Sequence, residues 1–194
     1  MNSCTTRGGW PYVTLALALS VAACSGVGGI DNTPTNTLGN DETYAALALI
    51  WDGTREAITS KKEPADPTFT LPLSYALVCP SSGQRLYQGT LTGTNNAGTG
   101  SATLAMTASL TNCAVDDKVN ITTVTASGIA ISGTIAIAND AYAATNLHIT
   151  STNVTVNGKA CTGGIDVAIV GSAPNAQPTS TGTACGRSGS VPLP

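Results

Sequence analysis

The chain has 194 residues, a net charge of −3 and only 10% charged side chains. It carries 8 Lys and Arg against 11 Asp and Glu and is 4% aromatic, so it lacks the basic, aromatic-bearing surface that nucleic acid demands. The low net charge also argues against a self-repelling disordered polymer, and the length suits one domain.

The first residues read as an export signal. Arg7 gives a positive start, and Val13–Ala23 (VTLALALSVAA) is an apolar run, well short of the roughly 20 residues needed to span a bilayer. The run ends in Val21, Ala22, Ala23 and Cys24. This VAAC stretch resembles the lipobox of bacterial lipoproteins. The resemblance implies that residues 1–23 are a signal peptide, excluded from fold reasoning. It implies a diacylglyceryl group on the Cys24 thiol and acylation of the new amine. Attachment is then to a membrane through acyl chains. Each buried methylene contributes about 0.8 kcal/mol, and a single chain anchors only marginally. Ser25 follows the cysteine where Asp would signal retention at the inner membrane. By the sorting rule of some Gram-negative lipoproteins, this implies the outer membrane, on its periplasmic or surface face.

Residues 24–39 (CSGVGGIDNTPTNTLG) hold Gly, Pro, Asn and Thr without periodicity and read as a flexible tether. One domain is expected over 40–186. It opens with a helix over 41–60. Asn40 or Asp41 caps it, Glu42 sits in the first turn, Lys61 and Lys62 lie near the end, and Pro64 and Pro67 stop it. Tyr44, Leu47, Trp51 and Ile58 fall near one face. Gly53 weakens the middle by about 1 kcal/mol relative to Ala.

From residue 68 the apolar period changes to two. Ala102, Leu104, Met106, Ala108 and Leu110 share a face, as do Ile129, Ile131, Gly133, Ile135 and Ile137. Leu147 with Ile149, Val154 with Val156, and Ile165, Val167 and Ile169 continue the pattern. Earlier candidates are Phe69–Val78, Leu86–Gly93 and Val119–Val124. About eight strands result, with turn signals at Asn95-Asn96, Asn139-Asp140 and Asn157-Gly158 among others. Alternation marks antiparallel sheets with one buried face, and strands without intervening helices disfavour βαβ folds. The expected fold class is mainly β. It is an antiparallel meander curled into a sandwich or half-barrel, with the one N-terminal α-helix packed on it. A β-solenoid is the alternative, although no fixed repeat length is present. Residues 187–194 are expected to be a disordered tail.

Of the 6 cysteines, Cys4 leaves with the signal and Cys24 goes to lipid. Cys79, Cys113, Cys161 and Cys185 remain, an even set that suggests disulfides in an exported chain. A meander sets the ends of its first and third strands side by side, where Cys79 and Cys113 fall. That favours Cys79–Cys113 and Cys161–Cys185, each contributing about 3–4 kcal/mol in the chain-entropy picture. Without a C-x-x-C pair and with His148 as the only histidine, zinc-type spacing is missing and no metal is expected.

Catalytic signals are weak. His148 (NLHIT) points outward if Leu147 and Ile149 point inward, and no G-x-S-x-G elbow accompanies it. Asp116-Asp117 reads as a polar turn without EF-hand spacing. Asp140 and Asp166 are lone carboxylates, and catalysis would need a cleft bringing one of them to His148. The expectation is therefore no enzyme and no cofactor. The chain reads as a lipid-anchored extracytoplasmic lipoprotein with a non-catalytic structural or protein-interaction role, meeting the membrane through Cys24 and other envelope proteins as partners. The alternative is an anchored binding module holding an apolar ligand or glycan between helix and sheet, lined by Tyr44, Trp51, Tyr75 and Tyr87.

Overall fold

The computed structural model describes residues 40–60, 67–116, 120–139, 141–172 and 178–193. The expected signal peptide, Cys24 and the tether lie outside the described residues, as do Lys61, Lys62, Pro64, Asp117 and Asp140.

The helix expected at the start of the domain is α1 (Asn40–Thr59). Asp41 and Glu42 occupy its first turn, where unpaired N–H groups and the helix dipole favour negative charge. Its buried face runs through Ala46, Leu47, Ile50, Trp51, Thr54, Ala57 and Ile58, a stripe at steps of three and four that faces a sheet.

The rest is β1 (Thr68–Val78), β2 (Ser82–Asn96), β3 (Thr99–Asp116), β4 (Ile121–Ala138), β5 (Ala141–Ser151), β6 (Asn153–Val156), β7 (Lys159–Ala160), β8 (Ile165–Ser172), β9 (Thr179–Ala184) and β10 (Arg187–Pro192). They form one 10-stranded sheet, ordered β1-β2-β3-β4-β5-β8-β9-β10, with β6 beside β4 and β7. Each strand pair is antiparallel. The mainly β meander with one N-terminal helix is therefore the fold. The solenoid alternative is corrected, because a solenoid stacks parallel strands. The sheet is open and does not close into a barrel.

With Val119 outside the described residues, the expected strand Ile129–Ile137 and the described end of the expected strand Val119–Val124 belong to the single long β4. Its C-terminal half pairs with β5 and its N-terminal half with β6, so β5 and β6 act as one strand bent at Thr152.

The tail is a second correction. Of the disordered segment expected at 187–194, Arg187–Pro192 is instead β10, hydrogen-bonded to β9, with Val191 and Leu193 buried, and Pro194 lies outside the described residues. The turn that makes this hairpin is Cys185-Gly186, at φ +54 and +77. Positive φ at both central residues is the tight turn whose twist matches paired strands, and cysteine is not an ordinary signal for it. Ala97-Gly98 joins β2 to β3 in the same way, at φ +50 and +84, two residues beyond the Asn95-Asn96 signal.

The inward face carries Leu91, Leu104, Ile131, Ile135, Leu147, Ile149, Val167, Ile169 and Val191 in one core. Helix α1 packs chiefly on β1–β4 and β6. The inward residues of β8 and β10 are just as buried and join the same core. A glycine inside a strand marks a close backbone approach. Gly133 sits at φ +140, where an added Cβ would lie 2.2 Å from the Asn146 carbonyl oxygen.

Both expected disulfides are present. Cys79–Cys113 ties the corner between β1 and β2 to β3, and Cys161–Cys185 ties the segment after β7 to the turn between β9 and β10. Two such bridges indicate an oxidising, non-cytoplasmic compartment. No helix among the described residues is long and apolar enough to cross a membrane.

Candidate functional site

A groove of about 740 Å³ opens beside the amino end of α1, within the usual range of ligand clefts. One wall is the helix, through Asp41, Glu42, Tyr44, Ala45, Ala48, Leu49 and Asp52. The other is built from chain ends: Pro80 between β1 and β2, Val115 near the end of β3, Asn120, Ile121 and Thr122 at the start of β4, and Asn157 after β6.

Asn157 fixes how these walls meet. With Gly158 it makes the tight β6–β7 turn, at φ +52 and +75, as the Asn-Gly signal requires. Its backbone N–H donates to the Thr123 carbonyl at 2.8 Å, and its side-chain oxygen accepts from the Thr123 N–H at 2.8 Å. Its amide nitrogen donates to a Glu42 carboxylate oxygen at 2.8 Å. One side chain thus joins the hairpin tip, β4 and the first turn of α1.

The floor of the helix–sheet contact is set by Arg85 and Tyr87 on β2. Both take inward positions of the alternating strand, and Arg85 is only 4% exposed. Its guanidinium donates to Asp52 at 3.0 Å and to the carbonyls of Leu49 and Val78 at 3.3 and 3.4 Å, with Glu56 at 3.8 Å. Asp52 also pairs with Arg55 at 2.9 Å. Partial burial pushes the Asp52 pKa up, but the hydrogen bonds and charges of Arg85 and Arg55 outweigh it and hold the carboxyl below its ordinary value. The Tyr87 hydroxyl donates to the Ile50 carbonyl at 3.2 Å, and burial raises its pKa far above the usual phenol range.

The aromatic residues expected to line one pocket do not gather. Tyr44 lines the groove. Trp51 and Tyr87 are closed into the core at 4% and 0% exposure, and Tyr75 is half-buried on β1 opposite Tyr87. The helix–sheet interface at these positions is packed, and the open space lies further toward the helix start.

His148 points outward and meets Asp166 across the sheet, Nε2 to Oδ1 at 2.6 Å, with both side chains exposed. Ser132 is its register partner on β4. The three groups stand on the open outer face of the sheet, outside the groove. Asn112, beside the expected polar turn, is engaged by the Thr125 hydroxyl at 3.2 Å. Among the described residues, no group of three or more His, Cys, Asp or Glu is placed to hold a metal ion.

Sequence reasoning missed Arg85, Asp52 and Asn157 as organisers. Arg85 carried a usable signal: a cation at an inward position of a strand must bring acidic partners to it. Comparison with protein-family models, with curated proteins and with solved structures found no match to this chain.

Proposed function

We propose that this chain is a lipid-anchored extracytoplasmic protein of the bacterial envelope, held at the outer membrane through acyl chains on Cys24. Its domain has a non-catalytic structural or protein-interaction role. The observation that carries this reading is the pair of disulfides, which call for an oxidising compartment outside the cytoplasm. A tether over 24–39, as the sequence reads, would have an end-to-end distance of roughly 20 Å and keep the domain near the bilayer.

Fractionation tests the anchor. The parent chain should co-sediment with outer membranes and show an acylated Cys24 as the first residue by mass spectrometry. Cys24→Ser should appear in the soluble fraction. Membrane retention of Cys24→Ser at the mature size would overturn the reading. A second reading, a binding module for an apolar ligand or glycan, is favoured by the volume and apolar wall of the groove. It predicts that a hydrophobic fluorophore displaced by such ligands binds the parent and not Ala48→Trp.

A further inference from the structure

We propose that Asn157 and Gly158 form a self-modifying site. Asn157 cyclises onto the Gly158 nitrogen and is converted to an acid, which releases the first turn of α1 from the β6–β7 hairpin. The inference goes beyond the interaction role above and rests on the turn and its clasp alone.

Asn157-Gly158 is the single Asn-Gly dipeptide of the chain. Asparagine is a chemically labile residue, and its amide carbon can close a small imide ring with the next backbone nitrogen, an intramolecular step favoured by proximity. A side chain on the following residue would crowd that ring, and glycine has none. A Cβ added at Gly158 would meet nothing within 4 Å, so the surroundings do not crowd it either. Both residues are exposed, which admits the water the second step needs. The Gly158 nitrogen attacks Asn157 Cγ and gives up its proton. The Cγ–Nδ2 bond breaks, and ammonia leaves with that proton. Water then opens the imide at either carbonyl, leaving an aspartyl or an isoaspartyl residue.

The clasp sets the rate. Asn157 Oδ1 accepts from the Thr123 N–H, and Nδ2 donates to Glu42 Oε1, both at 2.8 Å. The amide carbon swings onto the Gly158 nitrogen only when these bonds open. The Glu42 end opens first, because Glu42 lies in the first turn of α1, where helices fray.

The product cannot remake the clasp. A carboxylate oxygen accepts from the Thr123 N–H as the amide oxygen did, but the group facing Glu42 has lost its N–H and gained a negative charge. A donor on an acceptor becomes like charge against like charge. The isoaspartyl form also lengthens the turn by a backbone carbon, against the tight geometry the hairpin requires. Glu42 and Asn157 line opposite walls of the groove, so the same step unties those walls. It runs one way, since the ammonia is lost.

The full acylated chain in non-ionic detergent is incubated at mildly alkaline pH beside a peptide of residues 154–160. Tryptic mass spectrometry follows acid formation at each asparagine. Conversion should occur at Asn157 ahead of Asn112, Asn146 and Asn153, and more slowly than in the peptide. Glu42→Ala removes the acceptor and should speed it at least about threefold, the weight of one hydrogen bond. Glu42→Gln keeps an acceptor and should fall between. The converted parent, separated on an anion exchanger by its added charge, should exchange the amide hydrogens of residues 44–47 at least about threefold faster than the unconverted parent. An unchanged Asn157 after the peptide has fully reacted overturns the inference. Equal rates in the parent and Glu42→Ala overturn it too, as does equal exchange in the converted and unconverted chains.

Discussion

The hydroxyl of Tyr87 occupies the space that a side chain at Gly53 would fill. A Cβ built at Gly53 lies 2.1 Å from that oxygen and 2.4 Å from the ring carbon bearing it. The residue that weakens α1 as a helix is thus the seat that lets the helix settle on β2, with the Tyr87 hydroxyl on the Ile50 carbonyl.

Gly53→Ala sets helix propensity against this contact. Alanine gains about 1 kcal/mol in a helix interior, but forcing extra volume into a packed interface costs about 1–3 kcal/mol. The expected result is a net loss of stability in urea denaturation. In Gly53→Ala/Tyr87→Leu the two costs should fall short of their sum by at least roughly 0.5 kcal/mol. Simple additivity would show that the contact does not matter.

Asp52 makes the docking of α1 pH-dependent. Its pKa is depressed in the fold, so its stabilisation is fully present above the unfolded value near ~4 and is lost as pH falls through the lower folded value. The Asp52 side chain is 37% exposed, and solvent screening limits the effect to roughly 1 kcal/mol. Asp52→Asn should be less stable than the parent at pH 7, and the difference should shrink at acid pH. A constant gap in thermal melts between pH 2 and pH 7, roughly the span of the titration, would contradict this.

Asn157 combines a turn and a clasp, and two substitutions separate them. Asn157→Gly keeps the positive φ and the backbone bond to the Thr123 carbonyl but loses the side-chain bonds to Glu42 and the Thr123 N–H. Asn157→Ala loses those bonds and also strains the turn. Stability should fall in the order parent, Gly, Ala, with steps of roughly 1 kcal/mol each. Equal melting temperatures for the Gly and Ala variants would show that the backbone conformation carries no cost.

The disulfides differ in what they hold. Cys79→Ala/Cys113→Ala and Cys161→Ala/Cys185→Ala should each lose about 3–4 kcal/mol, lowering the melting temperature by roughly 10 °C in a domain of this size. Only the second pair frees the C-terminal hairpin. Limited proteolysis should then cut in β9 or β10 of that variant while β1–β4 stay protected.

The period-two pattern made most of the sheet legible, because Ile129, Ile131, Ile135 and Ile137 can share a face only in a strand. It also led to the first disulfide, since a meander returns Cys113 to the level of Cys79. The last hairpin was hidden because its inward positions are Ser180, Gly182 and Gly189 as well as Val191, too small and polar to show a period. The groove was hidden for another reason. Its walls come from α1, the starts and ends of several strands, and a hairpin tip, and only the tertiary fold brings these together. Trp51 and Tyr87 suggested a pocket because they are large, yet their size is what closes the interface.

The bridges join neighbours along the chain: Cys79 with Cys113, then Cys161 with Cys185. A polypeptide threaded across a membrane from its amino end presents each of these thiols with its proper mate before the next pair emerges. An oxidant meeting the chain during secretion would therefore form the native set directly, with no shuffling of mismatched crosslinks.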